Sequence, residues 1–448
     1  MAKQTVLLTG ASGSMGSEAL KSVMETGKFK ALVLLRKKPS NEKLKKELEQ
    51  RYGDGVEVVF GDISNPGDCV KVVERSDYII NCAAIIPPAS DHNPQAAEKA
   101  NYLGVKNLVQ AIEASKDADE KKFVNIGSIA EYGNRFFPAH WGRVGDPLVS
   151  SPYDFYAVTK IKGERCVVES GIKHWVSLRQ SGILYDDVLF NNMNDGLMFH
   201  TCWNTFIEWA TARDSGRLIR NLILLDSQGK LPSSFWQKCY NIGNGEGARV
   251  TGYETLDRGF KMMGRSAKEI FMPHWNAARN FHCFWYLDSD HLNDILDFRR
   301  ESFEDFFAQL SKKLWYFKLG KPFPGLIRKF AIERLLKDVN APIYWVNNKI
   351  EGRIKAFYGS REAFEKIPRR WEDYQLIPSE AVKDLKTAEI LDLRGKTELS
   401  EEDLAFIADN EYRGKNRAVI LSHGYDESKP DSELELADVL GVSRTVVR

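Results

Sequence analysis

Short apolar runs alternate with longer charged stretches from residue 5 to about residue 173 of the chain. The runs occupy residues 6–8, 29–35, 56–60, 78–80 and 122–126. Such short runs are typical of strands that are buried on both faces of a parallel sheet. The stretches between them have the length and charge of crossover helices. The alternation therefore predicts an α/β fold with a doubly wound parallel sheet.

The first predicted strand leads into a turn with three regularly spaced glycines. Gly10 allows the dihedral angles of a tight turn, Gly13 lets the main chain approach a pyrophosphate, and Gly16 lets the following helix pack closely. N–H groups at the helix start attract the anion. Ordinary tight turns use the same residues, so the interpretation depends on context. The candidate phosphate-binding residues are Thr9, Gly10, Ser12, Gly13, Ser14, Met15 and Gly16.

Three cations, Arg36, Lys37 and Lys38, follow the second predicted strand. Dinucleotide folds contact the adenosine ribose at this point, and an acidic residue there accepts hydrogen bonds from NAD. A cationic cluster suits a 2′-phosphate instead. Arg36 and Lys37 therefore predict NADP as the cofactor, with NAD as the second choice. The same residues would also suit an exposed loop before a charged helix.

Candidate catalytic residues follow the central strand. Ser128 lies at its carboxyl end, where open α/β sheets bind ligands. Tyr156 and Lys160 are four residues apart and therefore share one face of a helix. A phenol has an ordinary pKa of about 10, and a nearby cation lowers that pKa by stabilising the phenolate. The pair predicts acid–base chemistry, although this spacing also occurs on ordinary surface helices.

Together these motifs resemble the extended short-chain dehydrogenase/reductase superfamily, which includes the nucleotide-sugar epimerases and dehydratases. The resemblance covers about residues 3 to 260. It implies a Rossmann fold in which Tyr156 is the general acid/base and Ser128 donates a hydrogen bond to the reacting oxygen. Lys160 would lower the pKa of Tyr156 and hold the nicotinamide ribose. Further cofactor contacts are implied for Asp62, Ile63, Ala83, Ala84, Asn101, Tyr156, Lys160 and Ser181.

Departures from the family pattern narrow the expected reaction. Ile129 and Ala130 replace the acidic pair of the dehydratases, which argues against dehydration. Gly182 stands where the sugar epimerases typically have Asn. From residue 180 to 212 there is no Lys or Arg, whereas guanidinium groups normally bind a diphosphate. Cations that could still reach the pocket are Arg213, Arg217, Arg249 and Arg279.

The segment around residues 190–204 combines apolar side chains with neutral hydrogen-bonding groups, as pockets for uncharged organic ligands do. Its aromatic residues would equally suit the core of a helical lobe. The candidate substrate-binding residues are His140, Asn191, Met193, Phe199, His200 and Trp203.

These observations predict an NADP(H)-dependent oxidoreductase that interconverts an alcohol and a ketone or aldehyde on an uncharged small organic substrate. One alternative is an NAD(P)-dependent epimerase of a sugar or nucleotide-sugar. Another is a cofactor-sensing interaction protein, although such a protein would not need the Ser128, Tyr156 and Lys160 set.

Length and composition set the remaining expectations. A chain of 448 residues exceeds one Rossmann domain, and we divide it into an NAD(P)-binding domain (1–185), a smaller substrate-binding lobe with returning Rossmann elements (186–300) and a mainly helical C-terminal extension of unknown role (301–448). With 63 basic and 62 acidic residues, the charge balance gives no reason to expect nucleic acid. The eight scattered histidines predict no metal site.

The six cysteines include no C-x-x-C pair and suggest a reducing compartment. No signal peptide precedes the first strand, and no apolar run approaches the roughly 20 residues of a membrane span. We therefore expect a cytoplasmic protein without a membrane span, whose partner is a small-molecule substrate. The sequence leaves a homodimer open. Residues 436–446 resemble half of a helix-turn-helix, but their acidic flank opposes DNA binding.

Overall fold

The computed structural model describes residues 3–135, 141–189 and 194–380. Met1–Arg135 and Trp141–Leu376 form one compact unit. A second unit comprises Phe136–His140 and Ile377–Arg448, of which only residues 377–380 are described. The sheets and sites below belong to the first unit, and the helix-turn-helix resemblance at residues 436–446 lies outside the described residues.

A parallel sheet forms the centre of the first unit. The strands in the described residues are β1 Thr5–Thr9, β2 Lys30–Leu35, β3 Val56–Phe60, β4 Tyr78–Asn81, β5 Lys122–Ser128, β6 Trp141–Gly142, β7 His174–Gln180, β8 Gly182–Leu184, β9 Phe206–Thr211, β10 Lys238–Ile242, β11 Arg249–Thr251 and β12 Trp285–Tyr286. Seven of these make the parallel sheet, in the order β10-β7-β5-β4-β1-β2-β3. Two small sheets, β11-β9-β8 and β12-β6, stand apart from it. Because the strand order reverses between β1 and β4, a crevice opens at the carboxyl edge there.

Helices cover both faces of the parallel sheet. The first seven are α1 Ser14–Met24, α2 Pro39–Tyr52, α3 Pro66–Val73, α4 Ala89–His92, α5 Pro94–Glu98, α6 Gly104–Glu113 and α7 Phe155–Val168. Later helices span Ala212–Ser227, Gly252–Lys261, Ala267–Ile270, Ser289–Leu296, Phe303–Lys313, Pro324–Leu326, Pro342–Asn347, Glu351–Tyr358 and Arg361–Glu365. Neighbouring residues of β2 contribute to opposite cores: Val33 packs in one apolar cluster and Leu34 in the other. Burial on both faces explains why the strands are continuous apolar runs.

Two of the helices that cover one face of the sheet pack unusually close together. Gly216, in the helix Ala212–Ser227, packs against α1 so closely that a Cβ atom would lie 2.6 Å from the carbonyl group of Glu18. The helix Ala212–Ser227 is thereby packed directly on α1, the helix that follows the glycine turn.

The structure confirms the predicted doubly wound fold and, through residue 380, the mainly helical character of the extension. The domain boundaries at residues 185 and 300 stay predictions. In the described ranges, no helix is both long and apolar enough to cross a bilayer. Nor do three or more His, Cys, Asp or Glu side chains gather there as a metal site would require.

Candidate active site

The glycine turn after β1 packs tightly against the end of β4. Gly10 has φ +72°, and a Cβ atom there would come within 2.6 Å of the backbone of Cys82 and Ala83. The N–H of Gly13 donates to the carbonyl of Gly10 over 2.9 Å. A Cβ atom at Gly16 would collide with that same carbonyl. The turn therefore requires glycine, and it directs the unpaired N–H groups at the start of α1 along the sheet edge.

A groove of about 280 Å³ begins at this turn. It is lined by nine residues expected to bind the cofactor: Thr9, Gly10, Ser12, Gly13, Arg36, Asp62, Ile63, Ala83 and Ala84. Lys37 is not part of this lining, whereas its neighbour Lys38 is. Four other predicted cofactor residues do not line the groove. Ser14, Met15 and Gly16 form the first turn of α1, and Ser181 follows β7.

Asn101 links the groove wall to the catalytic helix. Its amide oxygen accepts from the N–H of Ile85 over 2.8 Å, and its amide nitrogen donates to the carbonyl of Ile85 over 2.9 Å. The same nitrogen donates to the hydroxyl of Thr159 in α7 over 3.0 Å. Asn101 therefore positions backbone and helix, and it does not line the groove where the sequence placed it.

The three predicted catalytic side chains meet at the carboxyl end of β5. Ser128 ends this strand, and its hydroxyl lies close enough to the Tyr156 phenol to lower the pKa of that phenol. Asp154 caps α7 by accepting from the N–H of Ala157 over 2.9 Å, which fixes the first turn that carries Tyr156. One helical turn later, the Lys160 ammonium donates to the carbonyl of Ile126.

The electrostatics differ from the expected tuning of the phenol. Burial raises the pKa of Tyr156, and the hydrogen bond with Ser128 opposes this shift only in part. Burial also lowers the pKa of Lys160, whose ammonium is directed at a backbone carbonyl. In this geometry, desolvation dominates over the cation, so Tyr156 favours the neutral phenol.

A buried charge network lies directly behind this site. Arg179, in β7, donates to both carboxylate oxygens of Glu164 in α7, with a shortest distance of 2.6 Å. Its guanidinium also lies 3.6 Å from Glu131 and donates to the Tyr132 hydroxyl over 2.6 Å. These contacts join β7 to α7, the helix that carries Tyr156.

The pKa values of the two carboxyl groups in this network shift in opposite directions. Burial and the adjacent Glu164 raise the pKa of Glu131 well above its ordinary range. Burial acts in the same direction on Glu164, but hydrogen bonds from Arg179 lower its pKa overall. The Arg179 guanidinium therefore stabilises the Glu164 carboxylate, whereas Glu131 ionises less readily than an ordinary glutamate, although Arg179 and Lys160 both oppose this shift. Sequence reasoning missed both residues, although Glu164 is four residues after Lys160 on the same helical face.

A second, larger cavity of about 340 Å³ opens beside Asp154. Its walls are mainly apolar and come from β8, β9, the helix Gly252–Lys261 and the extension. His200 lines it as predicted in sequence, and burial lowers the pKa of this histidine to about 4, which makes it neutral at physiological pH. His282 also lines it, with Nδ1 2.6 Å from the Asp154 carboxylate.

The remaining substrate candidates have other positions. Phe199 and Trp203 are almost fully buried in an apolar cluster with Phe271 and Trp275, so they belong to the core of the lobe. This is the alternative that their aromatic character left open. His140, Asn191 and Met193 lie outside the described residues.

Residues 6–179 match the NAD dependent epimerase/dehydratase family. The match covers less than half of the chain. The expected relation to the extended short-chain dehydrogenase/reductase superfamily is thus confirmed, and the match ends at the arginine of the buried network.

Individual relatives cover limited parts of the chain. It is 32% identical over 133 residues to the capsular polysaccharide biosynthesis protein CapD of Staphylococcus aureus, a match of 29% of this chain and 22% of that protein. It is 24% identical over 237 residues to human sterol-4-alpha-carboxylate 3-dehydrogenase, decarboxylating, which covers 49% of this chain and 59% of that protein. The chain therefore spans less than two thirds of either relative.

Among solved structures, the fold is similar to a UDP-glucuronic acid 4-epimerase from Bacillus cereus in complex with UDP-glucuronic acid and NAD. The TM-score is 0.54 at 19% identity, and the match covers 69% of this chain and 99% of that chain. Identity this low establishes the shared fold alone.

The buried network predicts a large loss of stability for Arg179→Met. The change leaves the buried Glu164 carboxylate without its cation, and breaking such a pair costs about 3–5 kcal/mol. Urea unfolding measures the loss. Arg165→Met is the matched control, because Arg165 is an exposed residue of α7 paired with Glu169. Equal unfolding midpoints for the two variants would show that the network does not hold the site.

Proposed function

We propose that this protein is an NADP(H)-dependent oxidoreductase that interconverts an alcohol and a ketone or aldehyde on a small organic substrate with an apolar body. The observation that carries the proposal is the placement of Ser128, Tyr156 and Lys160 at the carboxyl end of β5, the edge of the sheet where the groove also opens. The apolar cavity opens beside Asp154, the residue that caps the helix of Tyr156. The match of residues 6–179 to the NAD dependent epimerase/dehydratase family supports the same chemistry.

The residues around the groove fit a dinucleotide. The turn at Gly10 has no room for a side chain, and small residues Ala83 and Ala84 leave space for flat rings along the edge. Arg36 projects from the end of β2 without an ion pair among the described residues, while its carbonyl accepts from Asn41 over 2.8 Å. That hydrogen bond fixes the loop where a 2′-phosphate would bind, which favours NADP over NAD.

The proposed chemistry assigns one task to each catalytic side chain. The nicotinamide, when bound, supplies or accepts the hydride. The Ser128 hydroxyl donates a hydrogen bond to the substrate oxygen and orients it. Tyr156 delivers the proton to that oxygen during reduction and removes it during oxidation. Lys160 holds the nicotinamide ribose close to Tyr156.

An epimerase with retained cofactor is the second candidate, because similar folds include a UDP-glucuronic acid 4-epimerase. Such an enzyme oxidises and re-reduces its substrate without net consumption of cofactor. The cavity favours the oxidoreductase, since Arg353 is the only Arg or Lys among the described residues of its lining, whereas a nucleotide diphosphate is normally bound by several cationic donors.

Replacing Tyr156 by Phe tests the catalytic assignment. We expect turnover to fall by at least about 100-fold, the lower range of general acid/base catalysis, because only the phenol oxygen is lost. Cofactor affinity, measured by NADPH fluorescence, should stay within about twofold of the parent, since the ring is retained. Near-normal turnover would refute the role of Tyr156.

The raised pKa of Tyr156 predicts opposite pH dependences for the two directions. Reduction uses the phenol, which persists to higher pH when burial opposes ionisation, so kcat for ketone reduction should stay flat through mildly alkaline pH. Alcohol oxidation uses the phenolate and should accelerate as pH rises over the same range. Profiles of kcat in both directions measure this, and an acidic optimum for oxidation would contradict it.

Arg36→Asp tests the cofactor preference. One or two charge-assisted hydrogen bonds to the 2′-phosphate would favour NADPH over NADH by roughly tenfold to a thousandfold in the parent. The variant should invert the preference, because a carboxylate repels phosphate but accepts from ribose hydroxyls. Dissociation constants at one ionic strength give the answer. Lys46→Asp makes the same charge change on the exposed side of α2 and should leave the preference intact.

A further inference from the structure

The C-terminal extension contributes a cation to the apolar cavity. Arg353 lies in the helix Glu351–Tyr358 and lines the cavity together with Phe357 of the same helix. The extension lies beyond the segment that matches the family, which ends at residue 179. The absence of Lys and Arg from residues 180–212 suggested an uncharged substrate, but those residues supply only part of the cavity wall.

The guanidinium of Arg353 is held between two aromatic rings. Its central carbon lies 4.3 Å from the ring centroid of Tyr153 and 5.0 Å from that of Trp345. Cation–π contacts of this kind restrict the guanidinium and do not use its N–H donors, which can still bind an acceptor. Among the described residues, no carboxylate forms an ion pair with Arg353 and no acceptor hydrogen-bonds to its side chain.

Two of the acidic residues around the cavity already have partners. Asp154 binds His282 over 2.6 Å and also caps α7. Asp195 binds His92 over 2.7 Å and accepts from the N–H of Leu197 over 2.9 Å. Neither carboxylate needs Arg353 to offset its charge.

Asp91 is the third acid in the cavity wall, and its carboxyl group accepts from the Ser90 hydroxyl over 3.3 Å. Burial and the charge of Asp154 raise the pKa of Asp91, while Arg353 and His282 act in the opposite direction without forming an ion pair with it. Arg353 is thus a fixed, half-buried cation that faces a mainly apolar cavity.

We propose that Arg353 binds an anionic group, of the carboxylate class, on an otherwise apolar substrate. A planar carboxylate matches the fork of guanidinium donors, and the apolar walls accept the body of the ligand. The inference rests on the proposed function for its reaction, and it replaces the expectation of an uncharged substrate. The substrate class is then an apolar alcohol or ketone that carries a carboxylate away from the reacting carbon.

A binding experiment without turnover tests this assignment. The probe is the fluorescent fatty acid dansylaminoundecanoate, compared with its primary amide, which has the same body without the charge. We expect the parent protein to bind the acid about 10- to 100-fold more tightly than the amide, the range of a charge-assisted hydrogen bond pair. Equal affinities would overturn the proposal without any variant.

Variants locate the preference on Arg353. Arg353→Met should abolish it while amide affinity stays unchanged, and Arg353→Lys should keep part of it because the point charge remains. Asp91→Asn should tighten acid binding, since it removes a carboxylate near the anion. Arg361→Met is the matched control, because Arg361 pairs with Glu351 over 2.7 Å on the exposed side of the extension.

Two results would contradict the proposal: persistence of the acid preference in Arg353→Met, or equal loss of both ligands. The second would show that Arg353 only packs between its rings. Tyr156→Phe separates the two proposals, because it should lose turnover and retain the acid preference. Turnover of neutral ketones together with equal affinities for the acid and the amide would support the oxidoreductase and refute the anion site.

Discussion

The buried guanidinium of Arg179 contacts two buried carboxyl groups, Glu131 and Glu164, and the position of the catalytic helix depends on these contacts. Because it lies in β7 and binds Glu164 in α7, it fixes the helix that carries Tyr156 and Lys160 relative to the end of β5. Removing charge from water is costly, so the network is stable only while donors and acceptors match. Burial and Glu164 raise the pKa of Glu131, which accepts from the N–H of Ser128, while the cations Arg179 and Lys160 oppose that shift.

The same physical constraint links the fold to the chemistry. A parallel sheet brings the carboxyl ends of its strands to one edge, and burial at that edge shifts the pKa values of Tyr156, Lys160 and Glu131. Burial raises the pKa of Tyr156, which favours the phenol, and lowers the pKa of Lys160. The apolar cavity opens beside Asp154. Its walls come from the NAD(P)-binding domain, from the lobe that follows it and from the C-terminal extension.

Local patterns in the sequence predicted what depends on local geometry. The strands, the glycine turn and the spacing of Tyr156 and Lys160 follow from periodicity and backbone sterics, and the groove lining follows from strand ends in a parallel sheet. Contacts between distant segments could not be predicted in this way. Glu131 meets Arg179 across 48 positions, and Arg353 joins the cavity from a helix without a family pattern. Phe199 and Trp203 show the same limit, since a pocket wall and a core have the same composition.

The account depends on net hydride transfer to an apolar carbonyl compound, and cofactor stoichiometry tests this most directly. Purified protein is mixed with a limiting amount of NADPH and a panel of apolar ketones that includes keto acids, and both cofactor and product are quantified. We predict one NADPH oxidised for each alcohol formed, with the keto acids as the better substrates. Conversion of a sugar nucleotide by protein with bound cofactor, without net NADPH loss, would contradict the account and identify an epimerase.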